Sequence, residues 1–439
     1  MKKIHVFLFI FLALILITLF NFEKIRLIGK DLISADVRLS IYKFLVGEKY
    51  LKDIQTLKSS LYNVVTLPKT QYEIIKLDKI KTDIDLRLPP PGKTLGIKKR
   101  KFFLESFDNQ FLLTGYNGKI EVVESFYPIK SKPLENNLGD FNLFSIMDLT
   151  KINNEIFVSA AIRSDKQYKN HESATCQFLK VLRAEYNPSK LVFKTFFDPG
   201  ICIRKIEGGR IHFYNYEGTD GFLLTTSIRS MTTTGIGDSI VAQYDTSPFG
   251  KILFFSLGEK NGDYRIISKG HRNPQGLMVL DNVILQTEHG PKGGDEINKI
   301  IYGKNYGFPI ASYGDIYLFP KIASKDRSDY VFKKSHADNS FEEPIYAFVP
   351  SIGIQQIIKV PKSFSKYWED DNFLVGSLNG RSLFRLKFDK NYSKIFFIEK
   401  IFIGERIRDI VFDSNLNAFI LALEDTGSIG ILSSPQSKQ

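Results

Sequence analysis

Cysteine is nearly absent: the chain has two in 439 residues, Cys176 and Cys202. That excludes a disulfide-stapled scaffold and any multi-cysteine zinc or iron–sulfur centre. Concentrated positive charge is also scarce. Lys and Arg total 60 against 48 Asp and Glu, a formal charge of +12, yet the one tight basic run is Lys98, Lys99, Arg100, Lys101. A phosphate track needs clustered cations, so nucleic acid is not an expected partner. Neither extreme polarity nor repeated long apolar runs occur. At 43% hydrophobic and 25% charged residues, the composition excludes a disordered chain and a polytopic membrane protein. The length allows two or three domains, or one large repeat fold.

The apolar run that does occur is Ile4–Phe20, preceded by Lys2 and Lys3. A basic start before an apolar run marks export or anchoring. The run sits near the short limit for crossing a bilayer, and no small-x-small cleavage site follows it. Residues 1–22 therefore read as a transmembrane anchor or uncleaved signal, with the short end held in the cytoplasm by its lysines. This places the rest outside the cytoplasm, as an inner-membrane-anchored periplasmic domain. There Cys176 and Cys202 either pair or stay as two buried thiols; their spacing does not decide between these.

Leu39, Ile41, Tyr42, Leu45, Leu51, Ile54, Leu57 and Leu61 recur at helical spacing. Residues 23–92 read as a helical stalk or linker that ends at Pro89, Pro90, Pro91 and Gly92. From 93 to 435 the pattern becomes short apolar strands between turns. Six times a polar turn leads into such a strand: at Phe107–Thr114, Ile152–Ser159, Thr219–Thr225, Leu280–Gln286, Glu369–Val375 and Ser414–Leu421. Repeated strand–turn units predict radially arranged four-stranded antiparallel sheets, an all-β six-bladed propeller. A pair of β-sandwiches is the competing arrangement.

Polar and glycine-rich residues crowd into three strings. They are Gly270-His-Arg-Asn-Pro-Gln-Gly-Leu277, Glu288-His-Gly-Pro-Lys-Gly-Gly-Asp-Glu-Ile-Asn298, and Gly303-Lys-Asn-Tyr-Gly-Phe-Pro309 with Ala311-Ser-Tyr-Gly-Asp315. Glycines let backbone carbonyls approach a ligand. With Asp295, Glu296 and Asp315, those carbonyls make an all-oxygen set that suits Ca²⁺. Arg272, Asn273 and Gln275 are planar groups able to grip carboxylates or carbonyls.

These strings resemble the glucose/sorbosone dehydrogenase family, sugar dehydrogenases that use pyrroloquinoline quinone (PQQ). The likeness runs over about residues 100–435. It includes Ala242-Gln243, Gly250-Lys251-Ile252-Leu253, Pro350-Ser351-Ile352, Val375-Gly376-Ser377-Leu378 and Arg406-Ile-Arg-Asp409. It implies a six-bladed propeller. It also implies that Arg272, Asn273, Gln275, Arg406 and Arg408 hold the quinone's carboxylates and carbonyls. A catalytic Ca²⁺ would use main-chain oxygens of Gly290 and Pro291. A structural Ca²⁺ would use Glu296 and Asp315 with carbonyls of Tyr306, Ala311 and Tyr313, and a looser match at Glu343.

The likeness breaks at the catalytic base. The family has a His four residues before the Arg of a Gly-Arg motif, here Gly208-Gly209-Arg210, and that position is Ile206. The Gly-Asp pair that ends the next strand is Ser227-Ile228, and a family Lys is Asn379. His212, at the same strand parity as Arg210, and Glu207 are the candidate replacements; His271 and His289 are expected to shape the cofactor pocket. Two functions follow. One is a PQQ- and Ca²⁺-dependent dehydrogenase that oxidises an aldose or related alcohol and passes electrons to a respiratory acceptor. The other is a non-catalytic propeller that binds a ligand or partner. A propeller hydrolase of the lactonase type is a third reading, which the three strings disfavour.

Overall fold

The structure is a computed structural model that describes residues 65–67, 76–81 and 102–434, apart from 127–128, 168–174, 204, 229–236, 259–261, 292, 315–335, 366–367 and 369–370. Its strands form six sheets. The first blade is Phe102–Phe107, Gln110–Gly115, Ile120–Phe126 and Ile129–Asn136, with Lys190–Leu191 added in parallel at its edge. The second is Leu143–Ile152, Glu155–Gln167, Thr175–Glu185 and Lys194–Phe197. The third is Gly208–Tyr216, Thr219–Thr226, Lys251–Ser256 and Tyr264–Lys269. The fourth is Pro274–Leu280, Val283–Glu288, Asp295–Ile300 and Tyr346–Phe348. The fifth is Ile354–Lys359, Asn372–Ser377, Ser382–Phe388 and Ile395–Phe402. The sixth is Ile407–Asp413, Ala418–Leu423 and Ser428–Ser433.

The sixth blade takes its outermost strand, Lys76–Lys81, from far upstream, paired antiparallel with Ser428–Ser433. Val65–Leu67 pairs in parallel with Phe397–Glu399 of the fifth blade. The expected helical stalk is thus corrected over these two stretches. The helical spacing upstream of them does not extend to Lys76–Lys81, whose backbone groups complete a sheet edge. Residues 1–64, including the expected anchor, lie outside the described residues. Among the described residues no helix is long and apolar enough to cross a membrane.

The first strands of successive blades contact one another in a closed ring, from the first blade round to the sixth and back. Six apolar clusters fill the six gaps between neighbouring blades. This explains the repeated apolar units. Leu112 packs toward the second blade while Phe111 and Leu113 pack toward the sixth. Phe222 and Leu224 face the second blade, and Leu223 the fourth. A second strand buried on both faces is apolar through its middle, so it reads as a continuous run.

Acidic side chains stitch the inner strands together. Asp409 accepts from the Leu104 amide of the next blade at 3.0 Å, Glu105 from Lys151 N at 2.8 Å, and Asp148 from Ile211 N at 2.8 Å. Asp295 accepts from Gly353 N and Ile354 N at 2.7 and 3.0 Å. Arg210 spans the axis. Its guanidinium meets Asp148 of the second blade at 3.1 Å and Asp409 of the sixth at 2.9 Å, and donates to Gln275 O of the fourth at 2.8 Å. Gly209 makes this possible: at φ 87° a Cβ would sit 2.8 Å from Met147 and from Ser159 Oγ.

Cys176 and Cys202 form a disulfide with Cα atoms 5.2 Å apart, which decides between the two alternatives the sequence left open. The bridge ties the segment leading into the third blade to the second blade. Ile203 exchanges backbone hydrogen bonds with Gln177, and Ile206 N donates to Gln177 Oε1 at 2.9 Å.

Candidate functional site

In each blade the start of the first strand pairs with the end of the second, as in Gly208 with Thr226, Pro274 with Glu288, Ile354 with Ser377 and Ile407 with Leu423. That antiparallel register brings Tyr116, Glu207, Asn273, Gln275, His289, Gln355, Arg406, Arg408 and Glu424 to one end of the ring. The first two glycine-rich strings begin at this end, and the third runs back to it, with Asn305 bridging Lys269 and Phe308 N donating to Gly270 O.

Arg406 and Arg408 share one carboxylate. Arg406 Nε donates to Glu424 Oε2 at 2.8 Å, and Arg408 Nε to Glu424 Oε1 at 2.6 Å. Arg408 also donates to Gln355 Oε1 at 3.0 Å. Two guanidiniums against one carboxylate leave a local excess of positive charge. Arg408 is buried, and Arg406, with its side chain 35% exposed, opens to solvent. Tyr116 faces the same group. Burial pushes its hydroxyl up to about 12, opposed by a hydrogen bond with Ser145, while Glu207, Arg408 and Glu424 act on it by charge. Glu207 therefore belongs to this rim. Its backbone is tied to Ser227 in both directions, and its carboxylate pairs with Lys205 at 2.6 Å.

Across the rim, Gln275 Nε2 donates to Asn273 Oδ1 at 2.8 Å. His289 Nε2 lies 2.6 Å from Ile354 O, so that nitrogen carries the proton and Nδ1 is left facing Asn273 Nδ2 at 3.5 Å. His271 is a satisfied core residue. Its Nδ1 bonds Glu288 at 3.0 Å, its Nε2 meets Ser268 Oγ at 2.8 Å, and its ring stacks on Tyr306. Arg272 is buried and donates to the carbonyls of His289 and Gly290 at 2.9 and 2.5 Å. The five expected cofactor residues thus lie at one end of the ring, their donors engaged by Glu424, Asn273 and the carbonyls of His289 and Gly290.

The expected metal ligands fare unevenly. Gly290 O, expected to bind an ion, accepts from the Arg272 guanidinium, and two cations do not share that oxygen without rearrangement. Pro291 lies beside it in the same loop. Glu296 is buried opposite Glu288 on the neighbouring strand. Burial pushes its carboxyl well above the usual range, and the charges of Glu288, Asp295 and Glu343 push it further, with only Asn298 opposing. Such crowding of acids suits a cation. Tyr313 donates to Glu343, Tyr306 bonds Lys299 O through its hydroxyl, and Ala311 is buried. Asp315 lies outside the described residues. Among those residues no cluster of three or more His, Cys, Asp or Glu has metal-binding geometry.

Ile206 is 4% exposed and belongs to the apolar cluster between the second and third blades, together with Ile228, Met147 and Phe308. His212 does not replace a base. Its Nδ1 lies 2.9 Å from Phe213 O, partway down the third blade, and burial lowers its proton affinity. The parity argument for it fails because the strand register shifts between Gly208 and Ile211, which separates its side chain from that of Arg210. Sequence reasoning missed Glu424, Gln355 and Tyr116. None of the three left a sequence signal: Glu424 reaches Arg408 only through the pairing of Ala418–Leu423 with Ile407–Asp413.

A family model, Glucose / Sorbosone dehydrogenase, matches residues 106–431. The aldose sugar dehydrogenase YliI of Escherichia coli is 29% identical over 189 residues, 42% of this chain and 46% of that protein. Quinoprotein glucose dehydrogenase B of Acinetobacter calcoaceticus is 34% identical over 113 residues, 25% of this chain and 20% of that protein. The matched stretches thus span less than half of either relative. Among solved structures, the soluble aldose sugar dehydrogenase of E. coli in its apo form superposes with a TM-score of 0.61 at 17% identity, over 82% of this chain and 99% of that one. The PQQ-bound aldose sugar dehydrogenase of Streptomyces coelicolor gives 0.54 at 16% identity, over 82% and 98%. At these identities the likeness establishes the six-bladed fold.

Proposed function

The chain belongs to the glucose/sorbosone dehydrogenase family, and on that footing we propose that it binds PQQ and oxidises an aldose or related alcohol outside the cytoplasm. The observation that carries this reading is the gathering of Arg272, Arg406 and Arg408 with Asn273 and Gln275 at one end of the ring. Arg406 and Arg408 would hold carboxylates at one edge of the cofactor, and Asn273 and Gln275 its carbonyl edge. Bound there, PQQ supplies the two-electron acceptor. The chain's own tasks are to orient it, exclude water and take up the substrate's hydroxyl proton. Glu207 is the carboxylate on the rim suited to that last task, replacing the missing His.

Ca²⁺ fits the acid-rich surroundings of Glu296. At Gly290 and Pro291 it fits only if Arg272 gives up the Gly290 carbonyl for the cofactor. The disulfide supports an oxidising compartment. An anchor at residues 1–22 and a respiratory electron acceptor complete the reading.

A second reading, a propeller that binds but does not oxidise, is favoured by one observation. Ile206 and Ile228 occupy the positions of the family's His and Asp within one apolar cluster. Titrating the purified protein with PQQ, with and without Ca²⁺, and then adding an aldose panel separates the two. Binding followed by quinone reduction supports the dehydrogenase. Binding without reduction supports the second reading, and no binding sinks both.

A further inference from the structure

At the opposite end of the third blade, roughly 26 Å along its first strand from the rim, lies a concave pocket of about 270 Å³. Its floor is aromatic. Phe254 lies over Gly221, where any Cβ would fall 2.4 Å from that ring, and packs against Tyr216 at 5.3 Å. Tyr216 is in turn flanked by Tyr302, at 5.8 Å and 62% exposed, and by the Arg265 guanidinium at 5.7 Å. The walls are polar: Glu217, Thr219 and Asp263. Among the described residues the side chains of Glu217, Asp263 and Arg265 make no hydrogen bond or ion pair within the protein. The hairpin that presents Glu217 is braced, because Asn215 bonds both Asp220 and Gly218 N, so the pocket is held open by rigid elements.

From this arrangement we infer a carbohydrate-binding subsite, separate from the cofactor end and independent of the proposed reaction. A pyranose presents one flat face of C–H groups and a rim of hydroxyls. The first needs an aromatic surface, and the second needs carboxylates and a guanidinium with free hydrogen-bonding capacity. An apolar ligand leaves three charged groups desolvated without partners, and a phosphate meets two carboxylates. The volume holds one to two sugar rings. The subsite tethers the protein to a saccharide chain while its other end stays free.

The test uses the full chain without cofactor and with cellobiose and maltose as probes, by saturation-transfer NMR and calorimetry. Binding in the range of about 1 mM is expected for at least one disaccharide. It should weaken at least tenfold in Asp263→Ala and in Arg265→Ala, both surface changes that leave the fold and its thermal transition intact. Binding that both variants retain overturns the assignment. So does an absence of sugar binding, including the case in which a proline-rich peptide occupies the aromatic floor instead. Neither outcome depends on PQQ binding or turnover.

Discussion

Ile206 and Ile228 belong to one buried cluster, at the two places where the family pattern has its His base and an Asp. The two replacements are physically coupled. An Asp left beside an isoleucine would be a buried charge without a partner, and a lone His there would lose its hydrogen bond. Ile206→His alone should destabilise by about 2 kcal/mol and give no gain in turnover. The double variant Ile206→His, Ile228→Asp should recover much of that loss. Denaturant melts and quinone-reduction rates of all three proteins check this. A large rate gain in the single variant would contradict it.

Glu424 holds both rim arginines, so its neutralisation is informative. Glu424→Gln should cost about 2–3 kcal/mol of stability, because Arg408 stays buried with a weaker partner. It should also tighten binding of the anionic cofactor, since a competing carboxylate is gone. Melting curves and PQQ titrations read the two effects separately. Weaker PQQ binding would mean that Glu424 serves chiefly to orient the arginines.

Reduction of the Cys176–Cys202 bridge should cost up to ~3.5 kcal/mol by loop-closure entropy for its separation of 26 residues. The Cys176→Ser, Cys202→Ser variant should show the same loss without reductant. Denaturant melts with and without dithiothreitol test it. Indifference to reductant would mean that the second blade holds the following segment without the bond.

Glu105 carries a pH signature. Desolvation raises its carboxyl to about 8 and the charges of Asp148 and Asp409 add to this, against hydrogen bonds from Lys151 N and Thr150. A raised folded-state value means that the folded protein holds a proton the unfolded chain releases. Its contribution is fully present below about pH 4.5 and is lost as pH rises to about 8. Glu105→Gln should flatten stability over that window and be the more stable protein above it. Melts from pH 4 to 9 decide. The variant keeps both acceptor bonds, so an unchanged slope would locate the proton elsewhere.

Much of this was legible in the sequence. Each of the six repeated units is the turn into the second strand of one blade, and burial of that strand on both faces wrote the apolar runs. The glycine-rich strings come together at one end of the ring, because close-packed loops need their residue types. What escaped was set by distance. Lys76–Lys81 pairs with residues at the far end of the chain, and nothing local in those six residues announces it. Glu424 looks like any acid before a turn until the hairpin brings it to Arg406 and Arg408. His212 shares parity with Arg210 in the sequence, but a register shift, invisible in a parity count, intervenes.

The upstream strand in the sixth blade sets an order of events. Lys76–Lys81 emerges long before its partner Ser428–Ser433 in synthesis. The first blade also packs against the sixth, so one of its faces waits equally long. Until the final strands arrive, the chain is an open arc with an unpaired strand edge and an uncovered apolar face, the features that invite aggregation. Closure is the slow, long-range step, and a ribosome stalled short of residue 428 leaves an arc that no local repair can shut.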